Sequence, residues 1–220
     1  MNTVQLIIFD VDGLMIDSER IWYEAFEKAG TILHSSISGG EIFKKIVGKS
    51  GKDAREIVES YLGSDADFFR SMAHEIGFEQ LNRQVPVKPG LYELLDWLDS
   101  LGIQKAIATS TVYELTERRL KMIDVFDRFD YILCGDAIQH KKPDPEIYET
   151  ILNDMHVSCD HAIALEDSYY GVEAAHRAGI PCIMVPDLLE PTSKQEAETI
   201  QILPDLIRVQ EWLKENIVCN

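Results

Sequence analysis

The chain has 220 residues, of which 45% are hydrophobic and 27% charged, a composition typical of a folded globular protein. Asp and Glu number 38 against 21 Lys and Arg, which gives a net charge of -17. So acidic a chain is unsuited to binding nucleic acid or an anionic membrane surface. No apolar run approaches the ~20 residues that a membrane-spanning helix needs.

The cysteines and the first residues bear on the cellular compartment. Residues 1–9 lack the basic start and small-residue cleavage site of a signal peptide. The cysteines are scattered and form no CxxC pair: Cys134, Cys159, Cys182 and Cys219. A reducing compartment is therefore indicated. We expect a cytoplasmic protein that has no disulfide and acts as a monomer.

Short apolar runs separated by helical patterns predict the fold class. The runs are residues 6–9, 105–108, 131–134, 162–165 and 182–185. Runs of this length, rich in Ile, Val and Leu, are typical of fully buried strands in a parallel sheet. Amphipathic patterns follow several of them, at 91–101 before Gly102, at 145–155 after Asp144, and at 172–178 before Gly179. The alternation predicts an α/β fold with a Rossmann-like open parallel sheet.

One long stretch between the first two predicted strands does not fit a simple crossover. It carries apolar residues at helical spacing, at Ile21, Trp22, Ala25 and Phe26 and again at Ile42, Phe43, Ile46 and Val47. Pro86, Pro89 and Gly90 mark its end. We therefore predict an inserted helical domain at 17–85 and a catalytic core formed by 1–16 and 86–220.

Two carboxylates follow the first predicted strand. Asp10 and Asp12 stand two residues apart on an extended segment, so their side chains point the same way. At the carboxyl end of a strand in an open α/β sheet they face the crevice where ligands bind. Close carboxylates repel unless a cation or a shared proton relieves them, and Mg²⁺ is a natural partner.

The run from Asp10 to Glu19, DVDGLMIDSE, resembles the first motif of the haloacid dehalogenase (HAD) superfamily, in its phosphatase and β-phosphoglucomutase-like branch. The resemblance implies that Asp10 attacks phosphorus and that Asp12 transfers protons. It also implies that the helical insert is the family's cap domain, which closes over the site and selects the leaving group. Further family motifs are expected at the ends of later strands.

Two of these motifs supply a hydroxyl group and a lysine. Thr109 ends the second predicted strand, where a hydroxyl and backbone N–H groups can hold a phosphate oxygen, although Ser and Thr also cap helices. Lys142 precedes Pro143, and the family's K-P-x-P spacing selects it over Lys141. A lysine there offsets negative charge on the phosphoryl group and on Asp10.

The last motif is a pair of acids after the fourth predicted strand. Glu166 and Asp167 follow residues 162–165, and Gly171 comes at the spacing of the family. The resemblance implies that Asp167 is a direct metal ligand, that Glu166 acts directly or through water, and that Asp10 and the backbone carbonyl of Asp12 complete the Mg²⁺ site. Capping of the following helix would explain one of the acids but not both.

Together these motifs predict an Mg²⁺-dependent phosphatase that hydrolyses a small phosphorylated metabolite, foremost a sugar phosphate, through an aspartyl-phosphate. Three alternatives stay open: a β-phosphoglucomutase, a haloacid dehalogenase, and a binding module without activity. The dehalogenase is disfavoured because it needs neither metal nor the second aspartate. Related mutases carry a histidine where this chain has Trp22, which cannot relay a proton, so hydrolysis is favoured over isomerisation.

Overall fold

A computed structural model of the protein describes residues 3–49 and 51–216. The chain forms two compact units, one of Met1–Ile16 with Val87–Asn220 and the other of Asp17–Pro86. No helix within the described residues is long and apolar enough to cross a membrane. Cys134, Cys159 and Cys182 are free thiols, and Cys219 lies outside the described residues.

The first unit is built on a parallel sheet of six strands in the order β3-β2-β1-β4-β5-β6. The strands are β1 (Leu6–Phe9), β2 (Gln104–Ala108), β3 (Tyr131–Leu133), β4 (Ala162–Glu166), β5 (Cys182–Met184) and β6 (Gln201–Ile202). This arrangement confirms the predicted α/β class. The first five strands coincide with the apolar runs, whereas β6 was not predicted because it has only two half-buried residues.

The register of the central strands brings their carboxyl ends to one edge of the sheet. Phe9 on β1 lies beside Ile107 on β2 and beside Leu165 on β4. Every residue of β1 and β4 is buried, as expected for strands covered on both faces. The residues that follow β1 therefore lie between the end of β2 and the end of β4.

Within residues 17–49 and 51–86, four helices and a short 3₁₀ turn form the second unit. They are α1 (Ser18–Ile32), α2 (Gly39–Ile46), α3 (Gly51–Leu62), the turn Gly63–Asp65, and α4 (Ala66–Arg83). Their core is aromatic and aliphatic, with Phe26, Ile42 and Phe69 among its buried members. Phe26 contacts Phe69 edge to face, with 5.5 Å between ring centroids, a favourable geometry for aromatic pairs.

Trp22 packs inside this helical unit. Its ring centroid lies 5.2 Å from that of Phe78, edge to face, and 5.5 Å from that of His74. A Cβ atom added to Gly77 would stand 2.3 Å from the indole, so the glycine allows the ring to lie against α4. Trp22 is therefore a packing residue of the helical unit.

Among the described residues of the first unit, six further α-helices are α5 (Leu91–Leu101), α6 (Tyr113–Met122), α7 (Glu146–Met155), α8 (Tyr169–Arg177), α9 (Ser193–Glu198) and α10 (Leu206–Asn216), and Phe126–Arg128 and Cys159–His161 form short 3₁₀ turns. Gly102 adopts φ 67° and ends α5, as a left-handed C-cap does. Helix α7 begins one residue later than predicted. Pro145, and not Asp144, is its N-cap residue. The Asp144 Oδ1 nevertheless accepts a hydrogen bond from the Glu146 N–H at 3.1 Å.

Candidate active site

The ends of three neighbouring strands supply most of the candidate site. Asp10 follows β1, Thr109 follows β2, and Glu166 is the last residue of β4 with Asp167 next to it. Lys142 reaches the same place from the segment between β3 and α7. Residues more than a hundred positions apart in the sequence thus form one polar cluster at the carboxyl edge of the sheet, where open α/β sheets bind ligands.

Lys142 forms the centre of this cluster. Its Nζ donates to Asp10 Oδ1 at 2.7 Å, to Glu166 Oε1 at 2.5 Å and to the Ala108 carbonyl at 2.7 Å. Its side chain is only 4% exposed. Burial alone would lower the pKa of Lys142, but the charges of Asp10 and Glu166 outweigh it and the pKa is raised. The lysine is therefore a fixed positive charge against both carboxylates.

Asp10 is buried among charges of both signs. Burial raises the pKa of its carboxyl to about 7, Lys142 opposes this, and the negative charges of Glu166 and Asp12 add to the rise. The lysine binds Oδ1, which leaves Oδ2 to approach an electrophile. A further cation beside Asp10 would favour its charged form.

Glu166 is fully buried, and its position is fixed from several sides. The Tyr148 hydroxyl donates to Oε1 at 2.6 Å, and the Ser168 hydroxyl donates to Oε2 at 3.3 Å. A Cβ atom on Gly171 would stand 1.9 Å from Oε2. This close approach explains why a glycine stands at 171, in the first turn of α8.

Asp12 has a different set of partners. Arg119 NH1 donates to Oδ1 at 3.0 Å, and the Thr111 hydroxyl donates to Oδ2 at 2.7 Å. Thr111 follows β2 and Arg119 lies on α6, so two separate elements bind the two oxygens. Neither residue was singled out by the sequence.

Thr109 lies at the end of β2 with 1% of its surface exposed. Its Oγ1 accepts a hydrogen bond from the Thr111 N–H at 3.2 Å, and its own N–H donates to the Leu133 carbonyl at 3.2 Å. The hydroxyl thus lies in the first turn after the strand.

Three carboxylates converge closely enough to share a metal ion. One oxygen from each of Asp10, Glu166 and Asp167 lies within 4.8 Å of the others. Lys142 and Arg119 are the basic side chains that contact Asp10, Glu166 and Asp12. An all-oxygen donor set of this kind suits Mg²⁺. The carboxylate of Asp12 is not in this group, so any contribution from Asp12 would come from its backbone carbonyl, as the resemblance implied.

Gly13 leaves room for the Asp167 carboxylate. It adopts φ 87°, and a Cβ atom there would lie 2.1 Å from Asp167 Oδ2. Only glycine combines this left-handed backbone with so close an approach to a carboxylate.

A second group of side chains with potential ligand atoms lies close together near the start of α7 and is more exposed. It consists of His140, Asp144 and Glu146. The Glu146 carboxylate already accepts hydrogen bonds at 2.7 Å from the backbone N–H groups of Gln139 and His140. These contacts account for the cluster as local structure at a helix start.

Three residues of the site were not predicted from the sequence: Thr111, Arg119 and Tyr148. Thr111 lies two residues after Thr109, which was the hydroxyl predicted at the end of the second strand. Arg119 adjoins Arg118 in a polar helix, and nothing in the sequence distinguishes the two. Tyr148 follows Ile147 on an apolar helix face and would be taken for a core residue; it is buried, yet it donates to Glu166.

Comparison with known proteins agrees with the fold. Residues 7–185 match the haloacid dehalogenase-like hydrolase family, and the chain belongs to this family. The superfamily predicted from the four motifs is thereby confirmed.

Individual relatives are similar over most of their length. The chain is 30% identical to the phosphorylated carbohydrates phosphatase of Thermotoga maritima over 179 residues, which cover 80% of this chain and 82% of that protein. It is 27% identical to hexitol phosphatase B of Escherichia coli K12 over 194 residues, covering 81% and 82%. The solved structure of a β-phosphoglucomutase-like protein from Thermotoga maritima is 28% identical, with a TM-score of 0.81 over 97% of this chain and 100% of that chain.

Proposed function

We propose that this chain is an Mg²⁺-dependent phosphatase that releases inorganic phosphate from a small phosphorylated sugar through an aspartyl-phosphate on Asp10. The observation that carries the proposal is the contact of Lys142 with Asp10 and Glu166, at 2.7 and 2.5 Å, beside a group of three converging carboxylates. This arrangement provides a nucleophile, a fixed positive charge and a cation site within one cluster.

In the first half-reaction Asp10 is the nucleophile. A carboxylate oxygen of Asp10 attacks phosphorus, the new Asp–O–P bond forms, and the P–O bond to the sugar oxygen breaks. Asp12 gives its proton to the departing oxygen, so that the sugar leaves as an alcohol. Lys142 keeps Asp10 oriented through Oδ1 and offsets charge on the phosphoryl oxygens.

In the second half-reaction water hydrolyses the aspartyl-phosphate. Asp12, now a carboxylate, takes a proton from the attacking water. The water oxygen bonds to phosphorus and the Asp10–phosphate bond breaks, which yields inorganic phosphate and restores Asp10. Thr109, at the end of β2, contributes its hydroxyl and neighbouring N–H groups as donors to the phosphoryl oxygens.

The residues that would hold Mg²⁺ are Asp10, Asp167, Glu166 directly or through water, and the carbonyl of Asp12. When bound, the ion supplies positive charge that orients the phosphate and shields it from the surrounding carboxylates. Three converging carboxylates and a glycine that leaves space beside Asp167 fit such an ion.

The names of the relatives support a sugar phosphate as the substrate class. Two of them are phosphatases of phosphorylated carbohydrates and of hexitol phosphates. The second candidate is a β-phosphoglucomutase, favoured by the similarity to the Thermotoga maritima structure. Trp22 supports the phosphatase, because it stands where related mutases carry a histidine and packs against His74 and Phe78.

To test the proposal, the purified full chain would be screened with Mg²⁺ against phosphorylated sugars, phosphorylated sugar alcohols and nucleotides. The release of inorganic phosphate would be measured for each. Release from one or more sugar phosphates, lost in Asp10→Asn, is the expected result. No release from any ester, including p-nitrophenyl phosphate, would contradict the proposal and favour a binding module. The cytoplasmic location and the monomeric state remain predictions.

A further inference from the structure

Arg119 is an unusual residue for the interior of a protein. Its side chain is only 7% exposed, and arginine is rarely buried unless it is paired. The buried face of α6 consists of Thr116, Arg119 and Leu120, at helical spacing. Arg118 next to it is exposed. The fold therefore directs one of two adjacent arginines inward.

The partner of this buried charge is Asp12. Arg119 NH1 donates to Oδ1 at 3.0 Å, and within residues 3–49 and 51–216 Asp12 is the carboxylate that Arg119 pairs with. The contact uses one oxygen, because the other accepts the Thr111 hydroxyl at 2.7 Å. A carboxylate bound through each oxygen by a different element cannot rotate freely about either of its side-chain bonds.

We propose that Arg119, together with Thr111, is a positioning residue for Asp12, and that it fixes the direction in which this carboxylate gives and takes the proton. The inference rests on the proposed function, in which Asp12 serves the leaving oxygen and then the water. Each carboxylate oxygen has further acceptor capacity beyond one donor. A guanidinium group donates hydrogen bonds and has no acceptor atom, so Arg119 orients Asp12 without entering the proton transfer.

This role makes a prediction that a purely structural role does not. Proton donation matters for a basic leaving group and little for one that departs as a stable anion. Phenyl phosphate and p-nitrophenyl phosphate have nearly the same shape, but phenolate is the more basic leaving group. Misplacing Asp12 should therefore harm phenyl phosphate hydrolysis selectively, whereas a general loss of folding should harm both reactions equally.

The experiment measures kcat/KM of the full chain with Mg²⁺ for both esters, because this quantity reports the first half-reaction. Arg119→Gln should lower kcat/KM for phenyl phosphate at least ~10-fold more than for p-nitrophenyl phosphate, a part of the ~10²- to 10⁴-fold that general acid catalysis supplies. Thr111→Val should show the same selectivity and keeps the packing if Arg119→Gln does not fold. Arg119→Lys should restore part of the loss, and Arg118→Gln is the matched surface control.

The outcomes separate the two proposals. Equal losses on both esters in Arg119→Gln and Thr111→Val, or variants that match Arg118→Gln, would overturn the positioning role and leave the phosphatase standing. A wild-type chain that hydrolyses neither ester, or an Asp10→Asn variant that hydrolyses both, would overturn the proposed function and the role of Arg119 with it.

Discussion

Lys142 joins Asp10 and Glu166 through one ammonium group, although 132 residues separate Lys142 from Asp10 in the chain. Both carboxylates stand at the ends of adjacent strands and are buried. Their negative charges would repel each other there because little water screens them. The lysine relieves this repulsion while leaving an oxygen of Asp10 for chemistry. Stability and proposed activity therefore depend on the same side chain.

Replacing Lys142 by Met should remove activity and destabilise the fold. Loss of one partner from a buried ion pair costs about 3–5 kcal/mol, because a charge is left without compensation. Thermal unfolding of Lys142→Met should occur well below that of the wild type. Lys141→Met is the matched control, since Lys141 is exposed. Equal midpoints for the two variants would show that the contacts of Lys142 contribute little to stability.

Asp10→Asn should abolish turnover, because a neutral amide does not attack phosphorus. The substitution keeps the size of the side chain, so circular dichroism should match that of the wild type. Phosphate release would be followed with p-nitrophenyl phosphate and with the best sugar phosphate. Activity above a few per cent of wild type would show that Asp10 is not the nucleophile.

Asp12→Asn should stop the reaction between its two halves. A good leaving group such as p-nitrophenolate can depart without a proton, whereas the attacking water still needs a base. A burst of p-nitrophenolate with little inorganic phosphate is therefore expected, and the protein should carry phosphate that hydroxylamine removes. Rapid steady release of both products by this variant would contradict the assignment of Asp12 as the base.

Metal dependence can be tested with and without turnover. EDTA should stop phosphate release and Mg²⁺ should restore it, and Mg²⁺ should raise the unfolding temperature of the wild type because it binds the folded state. Asp167→Ala should lose that rise. Gly13→Ala should raise the Mg²⁺ concentration needed for that stabilisation by about 10- to 100-fold, because its Cβ would displace Asp167.

Gly102→Ala is the matched control for Gly13→Ala. Gly102 also has a positive φ, 67°, but a Cβ atom there meets nothing within 4 Å. It therefore carries the backbone strain without the clash. Full activity of the wild type in metal-free buffer would argue against the phosphatase and for the dehalogenase.

The sequence predicted the fold better than the details of the site, for a physical reason. Buried parallel strands are continuous apolar runs, so β1 and β4 could be found directly, and the residues that follow parallel strands share one edge of the sheet. The positions of Asp10, Thr109 and Glu166 follow from that rule, whereas Lys142 was selected by the family's K-P-x-P spacing. Side-chain partners on other elements cannot be predicted in this way. Arg119 and Asp12 are 107 positions apart, and only the tertiary packing of α6 buries Arg119 while leaving Arg118 exposed.

The choice between hydrolysis and isomerisation depends on what happens to the aspartyl-phosphate. A mutase must keep it from water until the second sugar oxygen attacks, whereas a phosphatase lets water in. Trp22 packs against His74, Phe78 and the open face of Gly77, and it has no group that can relay a proton to the acid–base aspartate.

We therefore expect phosphate release from one or more sugar phosphates and slow or undetectable conversion of β-glucose 1-phosphate to glucose 6-phosphate, even when the bisphosphate activator is added. Both products would be measured in the same reaction, inorganic phosphate by colour and glucose 6-phosphate by a coupled dehydrogenase. Asp10→Asn is the control for both, because either reaction needs the nucleophile. Efficient isomerisation with little phosphate release would identify a mutase, while the parallel sheet and the cluster around Lys142 would serve that chemistry equally well.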